Sequence, residues 1–373
     1  MKKILISFVS TLAVFFLLLV ILSNGSKKQE SELRACLVTD FADVNDQSFN
    51  QAAYQAGKKW SKETGFTFNY YKPTENSDFE RRKSIELAID RGYNILILPG
   101  YTFAQNIREL APAHPEVKFI GIDIAEGDFL QGNETSYQLP ANVNCIQFCE
   151  EISGYFAGYA AVKEGFKNFG FLGGIPAEAV IRFGNGFIQG MDSAASELAI
   201  QTNLTYAYGG QFYGDNDITA SIDGWYQKGV ECVFACGGSI FTSVALAAKN
   251  HNGYVIGVDS DQSFIINSQY GEGRCITSAM KKIEETVVYK LNRLSNKITF
   301  VAGYEKLGLV SGTDIDQNFV GLPVETWSMK NFTVEDYKKL VNEVFAKERI
   351  ISNSVERIES TEHVKITYLG SIK

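Results

Sequence analysis

The sequence is poor in the residues that most enzyme chemistry requires. Three histidines, His114, His251 and His363, are scattered over 373 residues and stand apart from the six cysteines. The cysteine spacings fit no zinc pattern. There is no G-x-S-x-G elbow, no Walker sequence and no metal-binding histidine pair. "GNGFIQG", from Gly184, resembles a phosphate loop only loosely and falls inside a helical pattern instead of after a strand. Asp43 and Asp46 offer paired carboxylates, but no activated nucleophile accompanies them. No catalytic residue, metal or cofactor is expected. Basic charge is also short: 35 Lys and Arg against 43 Asp and Glu leave a net charge of -8. That excludes the basic stripe on which nucleic-acid binding depends. Prolines number seven against 33 glycines, the balance of a chain with many tight turns between regular elements.

What the chain does have begins at its N-terminus. "MKK" precedes the apolar run "ILISFVSTLAVFFLLLVIL", and "SNGSKKQESE" then turns polar. This is the pattern of an export signal. The run is nearly as long as the ~20 residues that span a bilayer, so residues 1–25 are expected to be a signal peptide or a membrane anchor. Residues 26–35 follow as a polar tether. No cysteine stands directly after the apolar run; the nearest, Cys36, lies in the first expected strand, so a lipid-modified form is not expected. The six cysteines sit in or beside expected strands, where buried free thiols pack as small hydrophobes.

Beyond residue 35 the chain alternates strand and helix. "ACLVTD", a helix from Asp46 to about Glu63, "FTFNYYKP", a helix over 78–90, "YNILILPG" and "VKFIGID" form a first unit. "CIQFC", "NFGFLGG", "LTYAYGG", "VECVFACGG" and "GYVIGVDS", with helices between them, form a second. Strands that read as continuous apolar runs belong to parallel sheets covered on both faces. The fold class is α/β, with two doubly wound parallel-sheet lobes. Lobe 1 is expected over 36–145, completed by about 272–300. Lobe 2 is expected over 146–271, completed by about 301–373.

Ligands of doubly wound sheets bind beyond the carboxyl ends of the strands. Three of those ends are carboxylates, Asp40, Asp123 and Asp259, and two are glycine pairs, Gly173-Gly174 and Gly237-Gly238. The turn after the first strand, "DFADVNDQSFN", holds more polar side chains than one helix cap needs. Ionised carboxylates accept hydrogen bonds from hydroxyls and ring N–H groups and repel phosphate. Phe49 and Phe212, one from each lobe, could stack on a planar ring. Hydroxyls plus a flat ring without phosphate describe a nucleoside; a sugar would use the same groups.

"DVNDQSFNQAAYQAG", "VKFIGID", "EEISGYFAGYAA", "FGFLGG", "VIRFGNGFIQG", "CGG", "IGVDSDQ" and "TSAMKK" together resemble the basic membrane protein family. These are PnrA-like nucleoside-binding proteins of ABC transporters. The resemblance runs from about Cys36 onward. It implies the type I periplasmic-binding fold, with two lobes joined by a hinge and a nucleoside, purine favoured, held in the cleft. It also implies ABC permease and ATPase partners and an extracytoplasmic, membrane-associated or secreted protein. By motif match Asn45, Asp46 and Asn50 would face the base, Phe49 and Phe212 would stack on it, and Asp40 belongs to the same turn. Asp123, Gly238, Asp259 and Lys281 would hold the ribose and its surroundings. The family usually has glycines where Phe41 and Ala42 stand, which implies a differently shaped cleft. A sugar-binding protein of the same fold, or a membrane-anchored ligand sensor, are the alternatives.

Overall fold

The computed structural model describes residues 32–373, so the expected signal or anchor and most of the tether lie outside the described residues. Two sheets organise the rest. The first has six parallel strands in the order β11-β5-β4-β3-β1-β2. These are β1 (Arg34–Val38), β2 (Thr67–Tyr71), β3 (Ile95–Pro99), β4 (Lys118–Ile122), β5 (Val143–Phe148) and β11 (Gly303–Leu307). The second has seven, in the order β12-β10-β9-β8-β6-β7-β13. They are β6 (Asn168–Gly173), β7 (Thr202–Tyr208), β8 (Cys232–Cys236), β9 (Tyr254–Asp259), β10 (Cys275–Lys281), β12 (Val320–Gly321) and β13 (Val364–Ser371). All of these pairings are parallel except that of β10 with β12.

Each sheet has the same internal order. In the first, β1 lies between β2 and β3; in the second, β6 lies between β7 and β8. The chain therefore reverses its direction of travel beside β1 and beside β6, and a crevice opens at the carboxyl ends there. Apolar strands explain the burial: β3 and β8 are buried along their whole length. The helix after β1, α1 (Phe49–Thr64), turns Ala52, Ala53, Ala56 and Trp60 inward and stops at Gly65, whose φ of 77° is left-handed. Phe49 opens this helix and stays half-buried.

The expected division of the later chain needs correction. Residues 272–300 were assigned to lobe 1, but β10 pairs with β9 in the second sheet. A short helix, α8 (Ser263–Tyr270), links β9 to β10, and a short right-handed crossover sets parallel strands side by side. Only the following helix, α9 (Ile283–Ser295), joins lobe 1, where Ser295 accepts the Trp60 indole N–H at 2.7 Å. Residues 301–373 are expected in lobe 2, where β12 and β13 do join the second sheet, but β11 pairs with β5 in the first. The chain thus crosses between lobes near residues 149, 282 and 308. Three backbone bonds tie these crossings, Cys149 N–H to Leu307 O at 2.8 Å, Lys282 N–H to Phe319 O at 2.9 Å and Phe319 N–H to Gly308 O at 3.0 Å.

Gly154 and Gly158 serve a different contact from the helix-to-sheet approach their spacing suggests. They lie on α4 (Glu150–Glu164), which packs against α5 (Glu178–Leu198). A Cβ on Gly154 or Gly158 would fall 2.2 Å from a carbonyl oxygen of α5. "GNGFIQG" supplies the reciprocal pair, Gly186 and Gly190, facing Glu151 O and Tyr155 O. Its glycines let two helix backbones touch. All six cysteines are free thiols.

Candidate functional site

The first part of the site is the turn after β1. Asp40 closes back on its own loop, its Oδ1 accepting the Phe41 and Ala42 N–H groups at 2.7 and 3.0 Å. The same oxygen takes Asn50 Nδ2 at 3.2 Å. Ser48 stands at the N-cap of α1 without a side-chain cap bond, and Asp46, two residues earlier, caps the helix in its place. Its Oδ1 accepts the Ser48 and Gln51 N–H groups at 2.9 and 3.0 Å, and its Oδ2 accepts Asn50 N–H at 3.0 Å. These bonds satisfy the donors that a helix start leaves open. Burial raises the Asp46 carboxyl to about 6 despite those donors. Asn50 is buried, and its Oδ1 has no partner. Asn45 is exposed on the rim. Of the three residues expected to face a base, Asn50 presents a buried open acceptor, while Asp46 is committed to the helix.

The second part gathers around Lys281, at the end of β10 and almost wholly buried. Its ammonium pairs with Asp123 Oδ2 across the interlobe crevice. It lies 3.3 Å from Asp259 Oδ1 and 3.9 Å from Glu150 Oε1. The rings of Phe49, Phe183 and Phe148 stand 4.9, 5.4 and 5.9 Å away, within cation–π range. Burial disfavours the charge on Lys281, but Asp123, Asp259 and Glu150 outweigh it and raise the ammonium above its ordinary value. Glu150 is fully buried and holds Arg182 Nε at 2.7 Å. Arg182 also reaches Glu178 at 3.0 Å. Burial pushes Asp123 up to about 7, with Lys281 opposing and Glu150 and Asp259 adding to the rise. Asp123 Oδ1 is buried and unpartnered. Asp123 and Asp259 both have left-handed backbones, with φ of 53° and 65°. Non-glycine residues in that region are uncommon, and such strain concentrates at functional sites.

Two further bonds cross the crevice. Ser48 Oγ–H donates to Asp259 Oδ2 at 2.5 Å, and Gln262 Nε2 donates to Gln47 O at 3.1 Å. The third part is the loop after β7. Phe212 is half-buried, and its ring lies over the ends of β6 and β8. A Cβ on Gly174 or Gly237 would meet that ring at 2.2 or 2.7 Å, and one on Gly238 would meet Phe212 O at 2.5 Å. Gly174, Gly237 and Gly238 are therefore a seat for Phe212, not a surface left open to a ligand directly, while Gly173 makes room for the Tyr208 ring. Among the described residues no ring contact joins Phe49 to Phe212; Phe49 faces the Lys281 ammonium instead.

Phe49, Asp123, Asp259 and Lys281 thus form one cluster. Asp40, Asp46 and Asn50 form the adjoining turn, and Phe212 with Gly238 forms the second-lobe loop. Sequence reasoning missed Ser48 as a crossing link, and it missed Glu150 and Arg182 as a buried ion pair. Glu150 begins a helix beyond a strand end, which was the available signal. Nothing local marked its partner.

Two parallel lobes with matched strand order, crevices at both switch points and three crossings between them define the type I substrate-binding fold. Sequence comparison agrees: the family of PnrA-like ABC transporter substrate-binding proteins (Bmp) matches residues 34–356, and the chain belongs to it. The chain is 28% identical over 282 residues to the ABC transporter nucleoside-binding protein BmpA of Lactococcus lactis subsp. cremoris (strain MG1363), covering 71% of this chain and 76% of that protein. It is 27% identical over 298 residues to basic membrane protein A1 of Borrelia garinii subsp. bavariensis, covering 78% and 82%. Among solved structures, an ABC transporter solute-binding protein from Aeropyrum pernix K1 superposes with a TM-score of 0.64 at 20% identity, covering 86% of this chain and 87% of that one. The protein is an extracytoplasmic binding component of an ABC importer, not an enzyme. Its partners are a small-molecule ligand and the permease and ATPase subunits. No helix among the described residues is long and apolar enough to cross a membrane.

Proposed function

We propose that this protein captures a nucleoside, with a purine base favoured, between its lobes and delivers it to the permease. The observation that carries this reading is the pair of buried, unpartnered acceptors, Asn50 Oδ1 in the first turn of α1 and Asp123 Oδ1 just beyond the end of β4. A buried acceptor without a donor is costly, so such atoms call for a donor from outside. Ribose hydroxyls and base N–H groups supply donors of that kind. The half-buried Phe212 ring, seated on its glycines, offers a flat face for the base. The four buried cations among the described residues are already matched by carboxylates: Lys281 by Asp123 and Asp259, Arg182 by Glu150, Arg81 by Asp78 and Lys290 by Glu305. A phosphate would enter among acids with no free cation to meet it. The relative named for nucleoside binding points the same way. The apolar segment before residue 26 would hold the domain at the outer face of the membrane as an anchor, or be cleaved as a signal to release it.

Calorimetry of residues 26–373 with purine and pyrimidine nucleosides, their 5′-monophosphates and simple sugars tests this. Binding is expected for a nucleoside and lost with its monophosphate. Equal affinity for both, or preference for a sugar, would overturn it.

A further inference from the structure

The family match ends at residue 356, and the structure continues with β13, which lies along the outer edge of β7. The pairing runs from Val364 opposite Thr202 to Ser371 opposite Tyr208, with an irregularity between Tyr368 and Gly370. β7 leads straight into the loop that carries Phe212. Ile372 N–H donates to Tyr208 O at 2.8 Å, extending the contact to the start of that loop. Gly210, with a left-handed φ of 79°, lies close enough that a Cβ would meet Lys373 Cβ at 3.1 Å.

Lys373 then spans the loop. Its ammonium donates to Gln211 Oε1 at 3.2 Å and pairs with Asp215 Oδ2. Gln211 Nε2 closes the triangle on Asp215 Oδ2 at 2.7 Å and also holds Tyr213 O at 2.9 Å. Asp215 in turn caps α6 (Asn216–Gln227), accepting Ile218 N–H at 3.0 Å. The Ile218 N–H and Lys373 keep the Asp215 carboxyl down at about 2, so the ion pair stands at neutral pH. Phe212 lies inside this triangle in sequence, with its ring on the glycines of β6 and β8. One side of the loop is thus set by steric seating and the other by Lys373.

We propose that residues 364–373 fix the angle of the Phe212 ring, with Lys373 as the positioning residue, and so set the stacking part of ligand affinity. This rests on the nucleoside reading given above. A loop held in its bound shape before binding has less ordering entropy to lose, and the benefit shows mainly in a slower release.

The test compares Phe212→Ala, Lys373→Ala and Lys373→Arg in residues 26–373, with guanosine and with a fluorescent purine nucleoside whose emission is quenched by ring stacking. Lys373→Ala is expected to speed release about twofold to fivefold, the range of a partly exposed ion pair, and to restore part of the emission. Lys373→Arg is expected to recover both, and the apo melting temperature should stay the same. If Phe212→Ala weakens binding while Lys373→Ala changes neither release nor quenching, the positioning role is overturned and the nucleoside reading stands. A lowered melting temperature with unchanged release and quenching also overturns it. If Phe212→Ala leaves binding and quenching intact, Phe212 is no stacking residue and the proposal falls with it.

Discussion

The turn after β1 and the cluster around Lys281 both collect carboxylates at strand ends, and they balance them by different means. In the turn, Asp40 and Asp46 meet backbone N–H groups and one amide within ten residues of themselves. Around Lys281, acids 123, 150 and 259 converge on a cation that is remote from all of them in sequence. The carboxylates of the turn are satisfied inside it whether or not the lobes meet, although its Gln47 and Ser48 bond across the crevice. The Lys281 cluster is complete only when they do, because Asp123 lies in one lobe and Lys281 in the other. Polarity of the first kind shapes a loop; polarity of the second kind registers closure.

Removing Lys281 should separate the two most sharply. Lys281→Met leaves Asp123 and Asp259 buried without their cation, while Glu150 keeps Arg182, and breaking a buried pair costs ~3–5 kcal/mol. Urea melts should show a loss of that order, and small-angle scattering of the apo variant should show a larger radius than the parent. An unchanged radius would mean that the cluster does not hold the lobes together. Phe212→Ala comes next, with a loss of ~1–3 kcal/mol in nucleoside binding. Stability should change little, because the ring is seated on glycines and half-exposed; a loss of several kcal/mol in a denaturant melt would make it a core residue instead.

Acidity sharpens the comparison from another side. Burial raises the Asp123 carboxyl from the ordinary carboxylate value to about 7. Between those two values the folded state holds a proton that the unfolded state lacks. Apo stability should therefore rise as pH falls from 8 toward 5. Ligand affinity should move the other way, by up to about tenfold from pH 8 to pH 6, as the open Asp123 acceptor is protonated. Asp123→Asn should flatten the affinity profile, and a profile unchanged by that substitution would remove Asp123 from the contact. The smallest effect belongs to the turn. Asp46→Ala should lower stability by ~0.5–2 kcal/mol, the value of a helix cap, with nucleoside affinity nearly constant in calorimetry.

The sequence made legible what depends on neighbours in the chain. The continuous apolar runs marked the strands, so their last residues, Asp40, Asp123 and Asp259, could be read as facing a crevice. The helix expected from Asp46 to about Glu63 was legible in the spacing of Ala52, Ala53, Ala56 and Trp60, though it begins at Phe49, because the Asp46 carboxylate caps it from outside. Sheet membership was not legible, because β10 and β11 carry no mark of which neighbours they will pair with. The seat of Phe212 was visible only as glycine pairs, since the ring that fills it comes from another loop. Glu150 and Arg182 were hidden for the same reason: each looks like an ordinary helix residue until the other is placed beside it.

The three crossings between lobes carry a consequence for how this chain acquires its shape. Lobe 1 draws on residues 34–148 and again on 283–307, and lobe 2 on the stretches between and after them. A chain delivered N-terminus first to the far side of a membrane cannot close its first sheet until residue 307 has emerged. By then most of the second sheet is present as well. Such long-range closure makes for slow folding that begins late, with strand edges open in the meantime. Neither lobe is a contiguous segment of the chain, so neither sheet is complete until strands far apart in sequence have come together.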